Sequence, residues 1–288
     1  MALRKYFNNH DYFLDENNRT LVLSDHMYEQ LHSNNKMQKY KKIGGSQIPN
    51  VLEVDNFKTQ FAAFCHITRL AKPVLMKKYI NAGVILEPKI MEALGKLLKK
   101  NGFNDLVIQT FQSADYNYDY FEGKDDVLGG VPDGFIAQRG GIILEAKTVG
   151  EKKLSEWEKK DIHNVKNVPL AYRKQAQLYS YLMNAKKYLI VALFLRDEEG
   201  DYEDPDKIDV SKRYLKTYVF DTNYLEAQDD ANRVKEWYKF YTNTKVSPQW
   251  NPSVDKDQVD YLRCQNEAEW QELLEKWKKE GKADLDEN

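Results

Sequence analysis

The sequence predicts an α/β (α+β) fold, a central mixed β-sheet flanked by helices with helical additions at the N- and C-terminal ends. Three observations predict it. Apolar runs of strand length recur at 106–111, 142–147, 188–195 and 214–220. Between and around them, apolar residues fall three and four apart, the spacing of a helix buried along one side. Residues 131–147 then read as a hairpin. Phe135-Ile136-Ala137 and Ile142-Ile143-Leu144-Glu145-Ala146-Lys147 are joined by Gln138-Arg139-Gly140-Gly141, which is turn chemistry because glycine reaches positive φ without strain.

Composition narrows the class. The chain has 288 residues and no Pro/Ser/Gly-rich linker divides it, so one domain over 1–288 is expected. No run of about 18 apolar residues exists, which predicts no membrane span. The first ten residues lack the apolar core of an export signal, so a cytoplasmic protein is expected. Cys65 and Cys264 lie far apart and outside any CxxC, which predicts reduced thiols and excludes an iron–sulfur cluster. The net charge of −2 does not exclude a nucleic-acid partner, because basic residues can gather on one face. The acidic stretch 197–206 does not follow the Asp-x-Asp-x-Asp-Gly calcium pattern and reads as a solvated strand connection.

In order, 19–23 reads as a short strand, and Ser24-Asp25 caps a helix to about Ser33. Lys36, Lys39, Lys41 and Lys42 follow without an acid, either a solvated loop or a phosphate-facing surface. In Ile43-Gly44-Gly45-Ser46 the glycines free the backbone to approach a ligand, and Ser46 offers a hydroxyl at a helix start. Asp55 or Asn56 is expected to cap a helix with Phe57, Phe61, Phe64 and Ile67 on one stripe. A second helix is expected after Pro73, and 83–94 reads as helical with Glu87 between Ile85/Leu86 and Ile90/Met91/Leu94. The alternating Tyr116, Tyr118 and Tyr120 read as a strand leading into the hairpin. The charged stretch 152–160 around Trp157 reads as a loop. From Pro169 a helix carries Ala171, Gln175, Leu178 and Leu182 on one face, with Gln177 turned to solvent. A helix at about 223–241 presents an apolar stripe, and a last one places Trp270, Leu273, Leu274 and Trp277 together against the body or another subunit. There is no internal repeat.

The chemistry concentrates in the hairpin. Side chains alternate along a strand, so Glu145 and Lys147 point the same way, and a tight hairpin lays Asp133 beside them. Two carboxylates and a lysine at the end of a buried hairpin are costly to desolvate without a partner. A divalent cation is such a partner, and Asp133 and Glu145 are hard oxygen ligands suited to Mg²⁺ or Mn²⁺. An ordinary hairpin with a surface ion pair is the plainer alternative.

Pro132-Asp133 and Glu145-Ala146-Lys147 resemble the core motif of the PD-(D/E)XK nucleases. Gly44-Gly45-Ser46, the Gly-x-x-x-Glu of Gly83 to Glu87, and the Tyr-x-x-Gln of Tyr172 to Gln175 stand in the order seen in the lambda exonuclease/YqaJ-like viral recombinase family. The five signals span roughly 43–220. The resemblance implies a restriction-endonuclease-like core at about 43–221, an addition at 1–42 and a helical addition at 222–288. It implies Asp133, Glu145, Glu87 and the Ala146 carbonyl as ligands of two Mg²⁺ (or Mn²⁺) ions, with Lys147 and Gln175 as catalytic partners. Ser46, with Lys39, Lys41, Lys42 and Tyr172, would then face DNA or its 5′-phosphate. Val131 departs from the polar residue often found before Pro-Asp in the family. The implied activity is 5′→3′ degradation of linear duplex DNA in phage-type recombination or end processing. A ring-shaped homotrimer and a single-strand annealing protein are implied partners. An endonuclease of the same superfamily, or a silent DNA-binding or assembly module, are the alternatives.

Overall fold

The structure, a computed structural model, describes residues 4–162 and 165–284. Positions 1–3, part of the N-terminal stretch read above, lie outside the described residues. In chain order the strands are β1 (Tyr12–Asp15), β2 (Thr20–Leu23), β3 (Ile43–Gly44), β4 (Gln109–Thr110), β5 (Leu128–Gly129), β6 (Gly134–Ile136), β7 (Ile142–Gly150), β8 (Lys187–Leu195) and β9 (Tyr214–Asp221). The helices are α1 (Asp25–Leu31), α2 (Ile48–Val51), α3 (Gln60–Ile67), α4 (Lys77–Lys100), α5 (Leu154–Trp157), α6 (Leu170–Leu182), α7 (Tyr224–Thr242), α8 (Lys256–Arg263) and α9 (Glu267–Lys279). The described residues gather in two compact units. One lies within Met1–Lys77, Asp126–Leu128 and Asp230–Asn288, and the other within Lys78–Asp125 and Gly129–Asp229.

The second unit holds the mixed sheet, in the order β4-β6-β7-β8-β9. β7 and β8 are parallel, and the other neighbours are antiparallel. A parallel pair needs a crossover, which α6 supplies. The apolar run of β8 explains its central place. Leu189, Val191, Leu193 and Leu195 pack on one face with Leu86, Ile90 and Leu94 of α4. Tyr188, Ile190, Ala192 and Phe194 pack on the other with Ala176 and Tyr179 of α6. Polar atoms on either face would lose water without gaining a partner. The β6–β7 connection is a short 3₁₀ turn in which Arg139, Gly140 and Gly141 take φ of 58°, 87° and 85°. A Cβ on Gly141 would stand 3.1 Å from Ala185, so glycine also permits a close approach there.

In the first unit, β1 and β2 form a hairpin whose second strand is the one expected at 19–23. The Ser24 side chain accepts the Met27 N–H and caps α1 as expected. Trp270, Leu274 and Trp277 of α9 pack with Leu75, Cys264 and Ala283, so the tryptophan face is covered within its own chain. Cys65 and Cys264 are buried free thiols. Among the described residues no helix is long and apolar enough to cross a membrane.

Several local expectations are corrected. The strand at 116–121 is absent: Ser113–Tyr116 is a 3₁₀ turn, and Asn117 and Tyr118 take left-handed φ of 48° and 63°. Tyr116 and Tyr120 instead cluster with Phe111. Phe57 lies before α3 and is 81% exposed, because Thr59, and neither Asp55 nor Asn56, caps that helix by accepting the Ala62 N–H. The helix expected after Pro73 and the one at 83–94 are one helix, α4, with Pro88 inside it. The stretch 152–160 contains α5, and Trp157 is buried against Tyr172, Phe194 and Tyr218. Gln177 is buried, its side chain accepting the Asn223 N–H at 3.4 Å. In the acidic connection Asp201 and Tyr202 are buried, so it is solvated only in part.

Candidate active site

β6 and β7 pair so that Gly134 faces Leu144, which sets Asp133 one step further along, beside Glu145. The Asp133 carboxylate accepts the Ala146 N–H at 2.8 Å, and its carbonyl accepts the Phe111 N–H at 3.3 Å. The residue is thus clamped to the strands on both sides. Glu145 is wholly buried. Its Oε2 accepts from Lys147 Nζ at 2.9 Å and from Gln175 Nε2 at 2.8 Å. Its Oε1 is buried without a hydrogen-bond partner. A carboxylate oxygen left so costs about 1–3 kcal/mol or more, and native structures carry few of them.

The charges show the same imbalance. Burial pushes the Glu145 carboxyl up to about 8, with Asp133 and Glu87 adding to the shift and Lys147 opposing it. Burial also raises Asp133, against the pull of Lys147 and the Ala146 N–H. Glu87, on α4, is pushed up to about 7 by burial and by the Asp133 charge. Burial works against the Lys147 cation, but Glu145 and Asp133 outweigh it and hold the ammonium well above its ordinary range. One lysine therefore stands among three acids whose mutual repulsion it does not cancel.

The structure brings Asp133, Glu145, Ala146, Lys147 and Gln175 together by direct hydrogen bonds. Tyr172 joins them through its ring, 5.5 Å from Lys147 Nζ. Glu87 couples to them through charge alone. α4 packs on the face of β7 that carries Leu144 and Ala146, whereas Gln175 reaches Glu145 from α6. Accordingly, among the described residues no three Asp, Glu, His or Cys side chains are gathered into a metal cage. Two acids on one hairpin, one of them with an orphaned oxygen, nonetheless fit a divalent cation.

Ser46 is exposed in the turn before α2, in the first unit, with Lys39 and Lys41 exposed and Lys42 half-buried. α2 has four residues, too short to sum much of a dipole, so that support for a phosphate site at Ser46 lapses. Val131 is half-buried. Trp157, expected in a loop, buttresses Tyr172 at a ring distance of 5.9 Å. The Leu-x-x-Trp spacing inside that charged stretch is the signal that could have found it.

No family model matches the chain. An uncharacterized protein of Mycoplasma genitalium is 25% identical over 249 residues, covering 74% of this chain and 85% of the relative. Among solved structures, an alkaline exonuclease from Laribacter hongkongensis aligns with a TM-score of 0.46 at 11% identity, over 69% of this chain and 87% of that one. A phage related exonuclease from Haemophilus somnus 129PT aligns at 0.47 and 15% identity, over 70% and 94%. At these scores neither likeness bears on what this chain does.

Proposed function

We propose that the protein is a metal-dependent DNA exonuclease that hydrolyses phosphodiester bonds of linear duplex DNA from its ends, in the 5′→3′ direction. The observation that carries this reading is Glu145 Oε1, a buried carboxylate oxygen without a partner beside a second carboxylate, Asp133. The substrate class comes from the resemblance of the ordered motifs.

Asp133, Glu145 and the Ala146 carbonyl would hold Mg²⁺ or Mn²⁺, with Glu87 toward a second ion. Such an ion, when bound, supplies an activated water and charge stabilisation at the phosphate. Gln175 and Lys147 both donate to Glu145 Oε2, which fixes the carboxylate plane and leaves Oε1 available. Lys147, hydrogen-bonded to Glu145, would offset charge on the scissile phosphate and orient or deprotonate the attacking water. Tyr172 walls one side of that ammonium. A ring-shaped homotrimer, a single-strand annealing partner, a cytoplasmic site of action and a part in recombination or end processing follow from the same resemblance.

Incubation with linear and covalently closed circular duplexes, with Mg²⁺ or with EDTA, tests the proposal. Loss of linear DNA alone, and only with Mg²⁺, is expected. Cutting of circles would indicate an endonuclease, and inertness toward both would indicate a binding module.

A further inference from the structure

Beside the acid cluster, and within the same unit, α4 and the segment around β4 enclose a cleft of about 250 Å³. Met91 and Ile108 give it an apolar floor, Thr110 and Gln112 a polar rim, and Glu87 and Glu92 two carboxylates. It adjoins the candidate active site through α4 and β4. Glu87 lines it, Thr110 pairs with Gly134, and the next residue, Phe111, donates its N–H to the Asp133 carbonyl. No lysine or arginine lines the cleft, and Lys96 is held by Glu92 at 2.6 Å. With no cation on its lining the cleft offers a phosphate no partner, so the ligand part that fits is uncharged. The volume lies below the roughly 300–1,000 Å³ of pockets for drug-sized ligands, which suits a single planar ring system. Methionine sulfur packs well on an aromatic ring, and an amide and a hydroxyl both donate and accept, as a base edge requires.

We propose that this cleft seats the nucleobase of the terminal nucleotide being released, its ring against Met91 and Ile108 and its edge toward Thr110 and Gln112. This rests on the nuclease reading above. It makes Thr110 and Gln112 positioning residues: gripping the terminal base places the adjoining phosphate at Asp133 and Glu145.

The test uses two probes that differ only in the base, thymidine 5′-monophosphate and 2-deoxyribose 5-phosphate, as inhibitors of duplex cleavage. The wild type is expected to be inhibited about ten-fold more strongly by the nucleotide, the combined worth of a hydrogen bond and an apolar contact. Gln112→Ala should narrow that ratio by about two- to ten-fold. Thr110→Phe, a substitution that an exposed strand position accepts, should fill the cleft and abolish the difference. Equal inhibition of the wild type by both probes, or a ratio unchanged in Thr110→Phe, overturns the base cleft and leaves the nuclease reading intact. If the wild type cleaves no DNA, the nuclease reading fails, and saturation-transfer NMR of the same ligands decides the cleft. Saturation of the thymine protons by wild type but not by Thr110→Phe keeps a nucleobase site in the cleft without the release role, and any other pattern overturns it.

Discussion

Glu145 and Asp201 are both buried carboxylates of the sheet-bearing unit, and they are treated in opposite ways. Asp201 takes two hydrogen bonds from Arg213, at 2.7 and 2.8 Å, and one from the Arg196 N–H at 2.7 Å. The Arg213 contacts hold its carboxyl below the usual range. Glu145 takes two hydrogen bonds on one oxygen and none on the other, and its carboxyl rises to about 8. Burial is common to both, so burial alone does not mark a site. Asp201 is satisfied and tethers the connection after β8. Glu145 is left short, which is what a group kept for a ligand requires.

The largest expected effect separates the two directly. Asp133→Ala or Glu145→Ala should lower Mg²⁺-dependent cleavage beyond detection while the metal-free fold persists, since each removes a raised acid. Wild-type cleavage by either variant would erase the distinction. Asp201→Ala should do the reverse. It strips the Arg213 guanidinium and the Arg196 N–H of a buried acceptor, costing on the order of 3 kcal/mol of stability in a denaturant melt, with kcat retained.

Lys147→Ala should slow single-turnover cleavage by about 10²-fold, with DNA affinity little changed, because one charge among many contacts matters little to binding. Collapse of binding with normal cleavage would make Lys147 a tether.

The pH dependence of stability sharpens the contrast. The folded-state Glu145 carboxyl is raised from 4.5 to about 8, so its stabilising contribution is complete below pH 4.5 and is lost as pH rises toward 8. For metal-free protein the loss is on the order of a few kcal/mol. Glu145→Gln should flatten that alkaline limb. Asp201 is lowered from 3.8, so its contribution holds above that pH and is lost in stronger acid. An unchanged alkaline limb in Glu145→Gln would contradict the assignment of strain to Glu145.

Much of this site was legible because it rests on two short periods. Alternation along β7 puts Glu145 and Lys147 on one side, and the hairpin turn brings Asp133 to them. The helical spacing that put Gln175 on the buried face of α6 applies equally. What failed depends on partners remote in sequence. Gln177 is buried because the chain at Asn223 returns to it. Tyr116, Tyr118 and Tyr120 alternate as a strand would, yet two left-handed residues break the extension. Trp157 sits in so charged a stretch that its burial shows only when β8 and β9 are in place. Glu87 was legible as a helical acid, but not its place on the far face from α6.

The smallest effect concerns Ser46. Duplexes with 5′-phosphates should be degraded faster than those with 5′-hydroxyls, and Ser46→Ala should reduce the difference by a few-fold, about one hydrogen bond. Equal wild-type rates on the two ends would remove Ser46 from the account without touching Asp133 or Glu145.

Release of acid-soluble nucleotide from a labelled linear duplex, by wild type and by Glu145→Gln at equal Mg²⁺, tests the central claim most directly. Release by wild type that stops on adding EDTA and is absent from Glu145→Gln is the predicted result. Equal release by both proteins, or release by wild type in EDTA, would contradict it.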